Sequence, residues 1–357
     1  MHDMLNTSSS LWHQTRFDFP ADLPTMITPE ERQYLYWLGA DVWQGEGYVV
    51  EIGPWLGGST WCLAAGMRQS GHPIDKRLVV YDNFVWRDFM SSRTPLDLKP
   101  GDCFQSEFQK NLQEFESTID SWKQTLPDEV IEHDREAHSK RYTDSENVPL
   151  FRGVPGSDPV EILFIDGAKS WMGQKHLLLH VAERMIPGKS ILVCQDFKYW
   201  GNYWVPMLSA MLGDDLQPIH NVRTATTLTS RLLQPLRTDW LEALPDHIGQ
   251  VSTEEGLRAI DEAARMLQLQ GDLRGAANVQ LGKVMFLSHQ NHVDEAVAAF
   301  RQSQDHWPRG VPTSQLERAR TYLAESRSVY VLPGLIPRAR QMARGLAWRL
   351  LAPLRRG

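Results

Sequence analysis

The sequence predicts an α/β protein with a doubly wound, mostly parallel sheet and a C-terminal α-helical appendage. Three observations carry this. Short apolar, β-branched runs alternate with helical periods from Thr28 to about Leu232, as expected of parallel strands covered on both faces. Several of these runs end in an acid. From about Leu241 the alternation stops and only helical periods remain.

The first element is a helix. Thr28-Pro29-Glu30-Glu31 has the form of a capping box with proline at the first helical position. Tyr34, Leu35, Leu38 and Val42 follow at helical spacing, and Gly45 marks the stop. Residues 48–52 read as a strand, and the glycines after it open an apolar helix through Trp61, Leu63 and Met67. Residues 77–81, 161–165 and 190–194 read as further strands, with a helix over 173–185 closed by Pro187-Gly188. Residues 219–222 and 226–232 form a final antiparallel pair.

An insertion at 103–147 holds eleven acids against five bases. Phe104, Phe108, Leu112, Phe115, Ile119 and Trp122 recur at helical spacing and predict an amphipathic helix. The stretch 134–147 reads as a solvated loop, of a length typical of either a lid or a disordered segment. Beyond the sheet, helices are expected at 253–269, 273–289, 293–305 and 313–325. Ala296, Phe300 and Pro308 have the second-helix spacing of a tetratricopeptide repeat, and Leu281-Gly282 resembles its first helix. The distance between the two is a few residues too long, and a stable array needs about three repeats. The chain therefore divides into a sheet domain over 1–235, a weakly repeat-like appendage over 236–328 and a basic tail over 329–357.

Composition excludes several classes. The 357 residues suffice for two domains, at roughly 150 residues each. With 42% hydrophobic and 23% charged residues the chain is neither wholly disordered nor collagen-like. No apolar run reaches the length of about 18 residues that a spanning helix needs, and the first residues lack the blocks of a signal peptide. Cys62, Cys103 and Cys194 form no C-x-x-C pair, so a disulfide framework or structural zinc is not expected and a reducing cytoplasm fits. The net charge of -7 hides an asymmetry, because residues 338–357 carry six arginines and no acid. The acidic remainder argues against nucleic acid as a partner. In the tail, Ile336, Ala339, Met342, Ala343, Leu346 and Leu350 share one side of a helix. That helix reads either as an anchor over 336–356, peripheral on the inner face of the membrane, or as a helix docked on the acidic body.

The chemistry concentrates at strand ends. Glu51-Ile52-Gly53-Pro54-Trp55-Leu56-Gly57-Gly58-Ser59-Thr60 is a strand end, a glycine turn and a helix start. Such a turn lets backbone approach a ligand and offers unpaired N–H groups. Asp82 ends the next strand, where an acid can accept both hydroxyls of a ribose, Asp166 ends the following one, and Gln195-Asp196 the one after. A lone strand-end aspartate is an ordinary helix cap. Three of them with a glycine turn point into one crevice.

In order, E-I-G-x-x-x-G-G-S-T, Asp82, F-I-D-G-A-K-S-W and P-G-K-S-I-L-V-C-Q-D resemble class I S-adenosylmethionine-dependent methyltransferases over residues 48 to about 232. More narrowly, they resemble the catechol-type and macrolide-sugar O-methyltransferase branch and its relatives in glycan clusters. The resemblance implies a Rossmann-like fold with S-adenosylmethionine held by Glu51, Gly53, Trp55, Gly57, Gly58, Ser59, Asp82 and Asp166. The glycine turn would take the methionine part and Asp82 the ribose, while the adenine pocket stays unplaced because the insertion obscures the third strand. In metal-dependent members the residues matching Asp166, Gln195 and Asp196 bind Mg²⁺, and the residue matching Lys169 is the general base, so Lys169 and Asp166 are the implied catalytic pair. Hard oxygen ligands suit Mg²⁺, which lowers the pKa of an acceptor hydroxyl. A lysine beside it would have a depressed pKa. Gln195 departs from the branch, which usually carries an acid there. The implied acceptor is a hydroxyl of a sugar, glycan or other small molecule.

Other features are less specific. His176 and His180, at i and i+4, read as structural or solvated. Tyr199, Trp200, Tyr203 and Trp204 would stack on an acceptor, pack the core, or line an interface of a homo-oligomer; Trp55 and Trp86 carry the same ambiguity. Two other functions stay open. One is a non-catalytic scaffold that binds a partner through its appendage. The other is a nicotinamide dehydrogenase, against which the G-x-x-x-G spacing counts.

Overall fold

The computed structural model of the chain describes residues 11–129 and 147–331. Residues 332–357 of the basic tail and the stretch 130–146 of the insertion lie outside the described residues. No helix among the described residues is long and apolar enough to cross a membrane.

Seven strands form one sheet: β1 (Tyr48–Ile52), β2 (Leu78–Asp82), β3 (Ile119–Lys123), β4 (Val160–Ile165), β5 (Ile191–Cys194), β6 (Leu216–Asn221) and β7 (Leu228–Leu232), in the order β3-β2-β1-β4-β5-β7-β6. β1 to β5 are parallel, and β7 runs antiparallel to both β5 and β6. The order reverses between β1 and β4, so the crevice at their carboxyl ends is the topological switch point where open sheets of this kind bind ligands.

The helices flanking the sheet begin with α1 (Pro29–Trp37), whose capping box is complete. The Glu31 N–H donates to Thr28 Oγ1, and the Thr28 N–H donates to Glu31 Oε2. Glu31 also accepts from the Thr227 hydroxyl, which ties the start of α1 to the β6–β7 turn. The helix after the glycine turn, α2 (Gly58–Ser70), packs with α1 on one face of the sheet. Ahead of α1, Trp12 is fully buried, its ring 4.9 Å from that of Tyr34 and 5.6 Å from that of His220 on β6.

The stripe from Phe104 to Trp122 is not one helix. It forms α3 (Gln105–Asn111), a 3-10 turn at Gln113–Phe115 and then β3. β3 pairs in parallel with β2 from Leu78↔Ile119 to Asp82↔Lys123. Phe104, Phe108, Leu112 and Phe115 are buried against the α2 face. Their spacing continues across the turn, and so carries a helical phase into an edge strand.

On the other face lie α4 (Trp171–Val181) and α5 (Trp204–Leu212). A short α6 (Thr238–Ala243) leads to α7 (Thr253–Leu269), α8 (Leu273–His289), α9 (Val293–Asp305) and α10 (Ser314–Val331). The four helical periods expected beyond residue 241 are therefore present. One apolar core runs without a break from Val50 and Leu163 in the sheet to Ile260 on α7 and Phe286 on α8. Each fully buried aliphatic side chain in it contributes about 1.5–3 kcal/mol.

Candidate functional site

The glycine turn sits at the switch point. Gly53 has φ +87°, and a Cβ there would lie 2.7 Å from the backbone of Gly167. Only glycine lets the ends of β1 and β4 approach so closely. Gly57, at φ 94°, caps α2. Three other residues at this edge of the sheet have positive φ without being glycine: Trp55 at 49°, Phe84 at 52° and Asp196 at 62°. Such backbone collects at binding sites because the surrounding structure must hold it.

Glu51 is fully buried beneath the turn. Its Oε1 accepts from the Ser59 hydroxyl. Its Oε2, next to Thr60, completes no hydrogen bond among the described residues. Burial pushes its carboxyl up to about 7, against the Ser59 and Thr60 hydroxyls, with Asp166 and Asp82 adding to the rise. Trp55 is buried too, and its Nε1–H donates to no described residue. Asp82 accepts from the Phe84 N–H at 2.6 Å, and burial pushes it up to about 6. Beside it, past the end of β3, the Gln124 N–H donates to the Asp82 carbonyl at 2.9 Å. Gln124 Oε1 is buried without a described partner. Reading β3 as helix hid Gln124. The signal was the polar residue just past a strand end, level with Asp82.

The implied catalytic pair, Lys169 and Asp166, meets Asp196, one of the implied metal ligands. Lys169 Nζ donates to Asp166 Oδ1 at 2.8 Å and to Asp196 Oδ2 at 2.7 Å. Asp196 also accepts from Asn202 Nδ2 at 3.1 Å and, on Oδ1, from Thr226 Oγ1 at 3.2 Å. Sequence reasoning missed Asn202 and Thr226, which come from loops with no pattern of their own. Burial and the neighbouring Asp196 push the Asp166 carboxyl up, while Lys169 opposes them. For Lys169, burial alone would lower the pKa, but Asp166 and Asp196 outweigh it and hold the ammonium above the ordinary lysine range. The depressed lysine expected beside a cation is thus replaced by one whose charged form two carboxylates stabilise. Gln195 follows β5, its N–H donating to the Ile165 carbonyl at 3.0 Å, and its Oε1 is buried without a described partner.

The remaining candidates are structural. His176 Nε2 bonds the Phe151 carbonyl at 2.8 Å, and the His180 ring lies 4.0 Å from the His176 ring. Among the described residues no group of three His, Cys, Asp or Glu is placed to hold a metal. Of the aromatics after Asp196, Trp200, Tyr203 and Trp204 are buried and Tyr199 is half-buried. Trp200 Nε1–H donates to Gln315 at 3.0 Å, Tyr203 OH bonds His289 Nδ1 at 2.6 Å, and Trp204 Nε1–H donates to the Ala168 carbonyl at 3.3 Å. Trp86 is buried, and its Nε1–H donates to Ser91 Oγ at 2.9 Å.

No protein-family model matches the chain, and no curated protein matches it significantly. Among solved structures, the chain is similar to the O-methyltransferase NovP at 16% identity, with 61% of this chain and 85% of that one covered and a TM-score of 0.37. It is similar to an O-methyltransferase from Bacillus cereus, in complex with SAH, at 13% identity, with 60% and 84% covered and a TM-score of 0.36. The calicheamicin methyltransferase CalS11 aligns at 14% identity, over 61% of this chain and 99% of that one, with a TM-score of 0.31. The doubly wound, Rossmann-like fold of this chain is assigned on its own strand order and on the switch point between β1 and β4.

Proposed function

We propose that the chain is an S-adenosylmethionine-dependent O-methyltransferase acting on a hydroxyl of a sugar, glycan or other small molecule. One observation carries the reading: buried polar atoms without described partners, Glu51 Oε2, Trp55 Nε1 and Gln124 Oε1, surround a glycine turn whose crevice also receives the Asp166–Lys169–Asp196 cluster. These atoms fit a ligand with a cationic amine and hydrogen-bonding edges. Glu51 and the turn would hold the methionine part of the cofactor, Asp82 the ribose hydroxyls, and Gln124 the edge beyond them. Bound there, the cofactor supplies an electrophilic methyl group.

Lys169 would meet the acceptor. An ammonium has three N–H donors, and two of those on Lys169 are used on carboxylates. The third is the group to hold the acceptor oxygen and stabilise it as its proton leaves toward the carboxylate cluster. Alignment of acceptor and methyl group then supplies most of the acceleration.

Mg²⁺ fits this donor set poorly. It wants oxygens at about 2.0–2.1 Å in near-octahedral order, and the place between the two carboxylates is taken by Lys169 Nζ.

Calorimetric titration with S-adenosylhomocysteine tests the reading. Micromolar binding that is lost in Asp82→Ala supports it, and absence of binding to the intact chain sinks it, leaving a scaffold function ahead. With an accepted hydroxyl in hand, Lys169→Ala should abolish turnover while cofactor binding survives.

A further inference from the structure

We infer that the Lys169 ammonium is the built-in cation of this site, standing where metal-dependent enzymes of similar architecture would hold a divalent ion. The inference deepens the methyl-transfer reading and rests on it for the acceptor, but its test does not.

Three observations support it. First, Nζ lies 2.8 Å from Asp166 Oδ1 and 2.7 Å from Asp196 Oδ2. A cation bridging both carboxylates would have to sit within contact distance of the ammonium, and two positive charges do not share that space. Second, both oxygens of Asp196 already accept protein donors: Oδ2 from Lys169 and Asn202, Oδ1 from Thr226. A carboxylate engaged in this way is oriented for hydrogen bonds and has little left for a metal. Third, the residue before Asp196 is the neutral Gln195, so the cluster holds two carboxylates rather than three and one lysine neutralises half of their charge.

The consequence is that a single residue keeps a divalent ion out. Removing the lysine side chain frees Asp166 Oδ1 and relieves Asp196 Oδ2 of one of its two donors. With Gln195 Oε1, which has no described partner, these are the oxygens that would then coordinate one.

The probe is Mn²⁺, followed by electron paramagnetic resonance on the full chain with and without S-adenosylhomocysteine. Wild type should show no site tighter than millimolar. Lys169→Ala should bind one Mn²⁺ at least about tenfold more tightly, since a unit charge a few ångströms from the ion is removed. Lys169→Ala/Asp196→Asn should lose that site again. Lys169→Met, which keeps the apolar stem, should behave as Lys169→Ala does, and circular dichroism on both checks that the fold is intact. Micromolar Mn²⁺ binding by wild type that disappears in Asp196→Asn would overturn the inference. So would a folded Lys169→Ala and a folded Lys169→Met that both fail to gain a site. Loss of S-adenosylhomocysteine binding alone would strike the methyl-transfer reading and leave the cation assignment standing.

Discussion

Lys198 Nζ and Asp272 Oδ2 lie 3.0 Å apart with 2% and 6% of their side chains exposed, and this pair joins the segment that carries Asp196 to the first turn of α8. Lys198 also donates to Asn221 Oδ1 at 2.7 Å and to the Val222 carbonyl at 2.9 Å. Asp272 caps α8 by accepting from the Gly275 N–H at 2.7 Å. The appendage thus holds the loop after β5 from behind, two residues from Asp196.

Breaking this pair should be expensive. Lys198→Met leaves a buried carboxylate without its cation and should destabilise the chain by about 3–5 kcal/mol, read as a shift of the urea midpoint. Replacing both partners with apolar residues should recover part of that loss, since no lone charge then remains. The pair should also show in acid. Burial would raise the Asp272 carboxyl, but Lys198, the Gly275 N–H and Asn221 more than offset it and hold it below the ordinary value of 3.8. Its stabilisation is therefore complete above the unfolded-state value and is lost as pH falls through the lower folded one. Asp272→Asn should flatten that acid-side loss of stability.

Glu51 should release its proton when the cofactor binds. Its folded pKa of about 7 stands above the ordinary 4.5. The unliganded fold therefore holds this proton more tightly than the unfolded chain and gains stability as pH falls from about 7 toward 4.5. A cationic amine beside Oε2 reverses the preference. Titrations with S-adenosylhomocysteine near pH 7, in two buffers of different ionisation enthalpy, should give different apparent heats, and Glu51→Gln should remove most of the difference.

Gly53→Ala should abolish cofactor binding and destabilise the fold. The new Cβ would meet the Gly167 backbone at 2.7 Å, at a φ of +87°. Strain of this kind costs on the order of 1–3 kcal/mol. Thermal unfolding and calorimetry on the same sample separate the two effects, and wild-type affinity in this variant would show that the turn is not the cofactor cradle.

Gly282→Ala sets helix propensity against packing. Alanine in mid-helix is worth about 1 kcal/mol over glycine, but a Cβ at Gly282 would lie 2.9 Å from the Cβ of the buried Tyr203. Overpacking costs about 1–3 kcal/mol, so the substitution should lower stability in urea. An increase would mean that α8 does not bear on Tyr203 as described.

Much of this architecture was legible in the sequence, for physical reasons. β1 is apolar and buried on both faces, so its run stands out between turn residues. The helices α7 and α9 show their periods because each buries one stripe, as at Ala259, Ala263 and Leu267 on α7. β3 was not legible: as an edge strand, only Ile119 of its five residues is buried, and its spacing continued that of the helix before it. Asp82, Asp166 and Asp196 were legible because strand ends gather at one edge. That Lys169 bridges two of them was not, since Asp196 is 27 residues away in the chain. Nor could sequence decide whether Trp200 and Tyr203 faced a ligand or the appendage; their partners, Gln315 and His289, lie about a hundred residues on.

The packing of Trp12 against His220 sets a schedule for assembly. While the chain is being synthesised, Trp12 leaves the ribosome early but cannot find its neighbour on β6 until about 200 further residues have emerged, roughly 10–40 s later at usual rates of synthesis. β1 to β5, which all precede β6 in the chain and include the strands that lead to Asp166 and Asp196, can pair in that interval. Through that time Trp12 lacks its contact with His220, while Phe17 and Phe19 can already meet Tyr36 and Trp61. The nascent chain should accordingly leave the His220-facing side of Trp12 open to chaperones until β6 has emerged, after the strands that lead to Asp166 and Asp196.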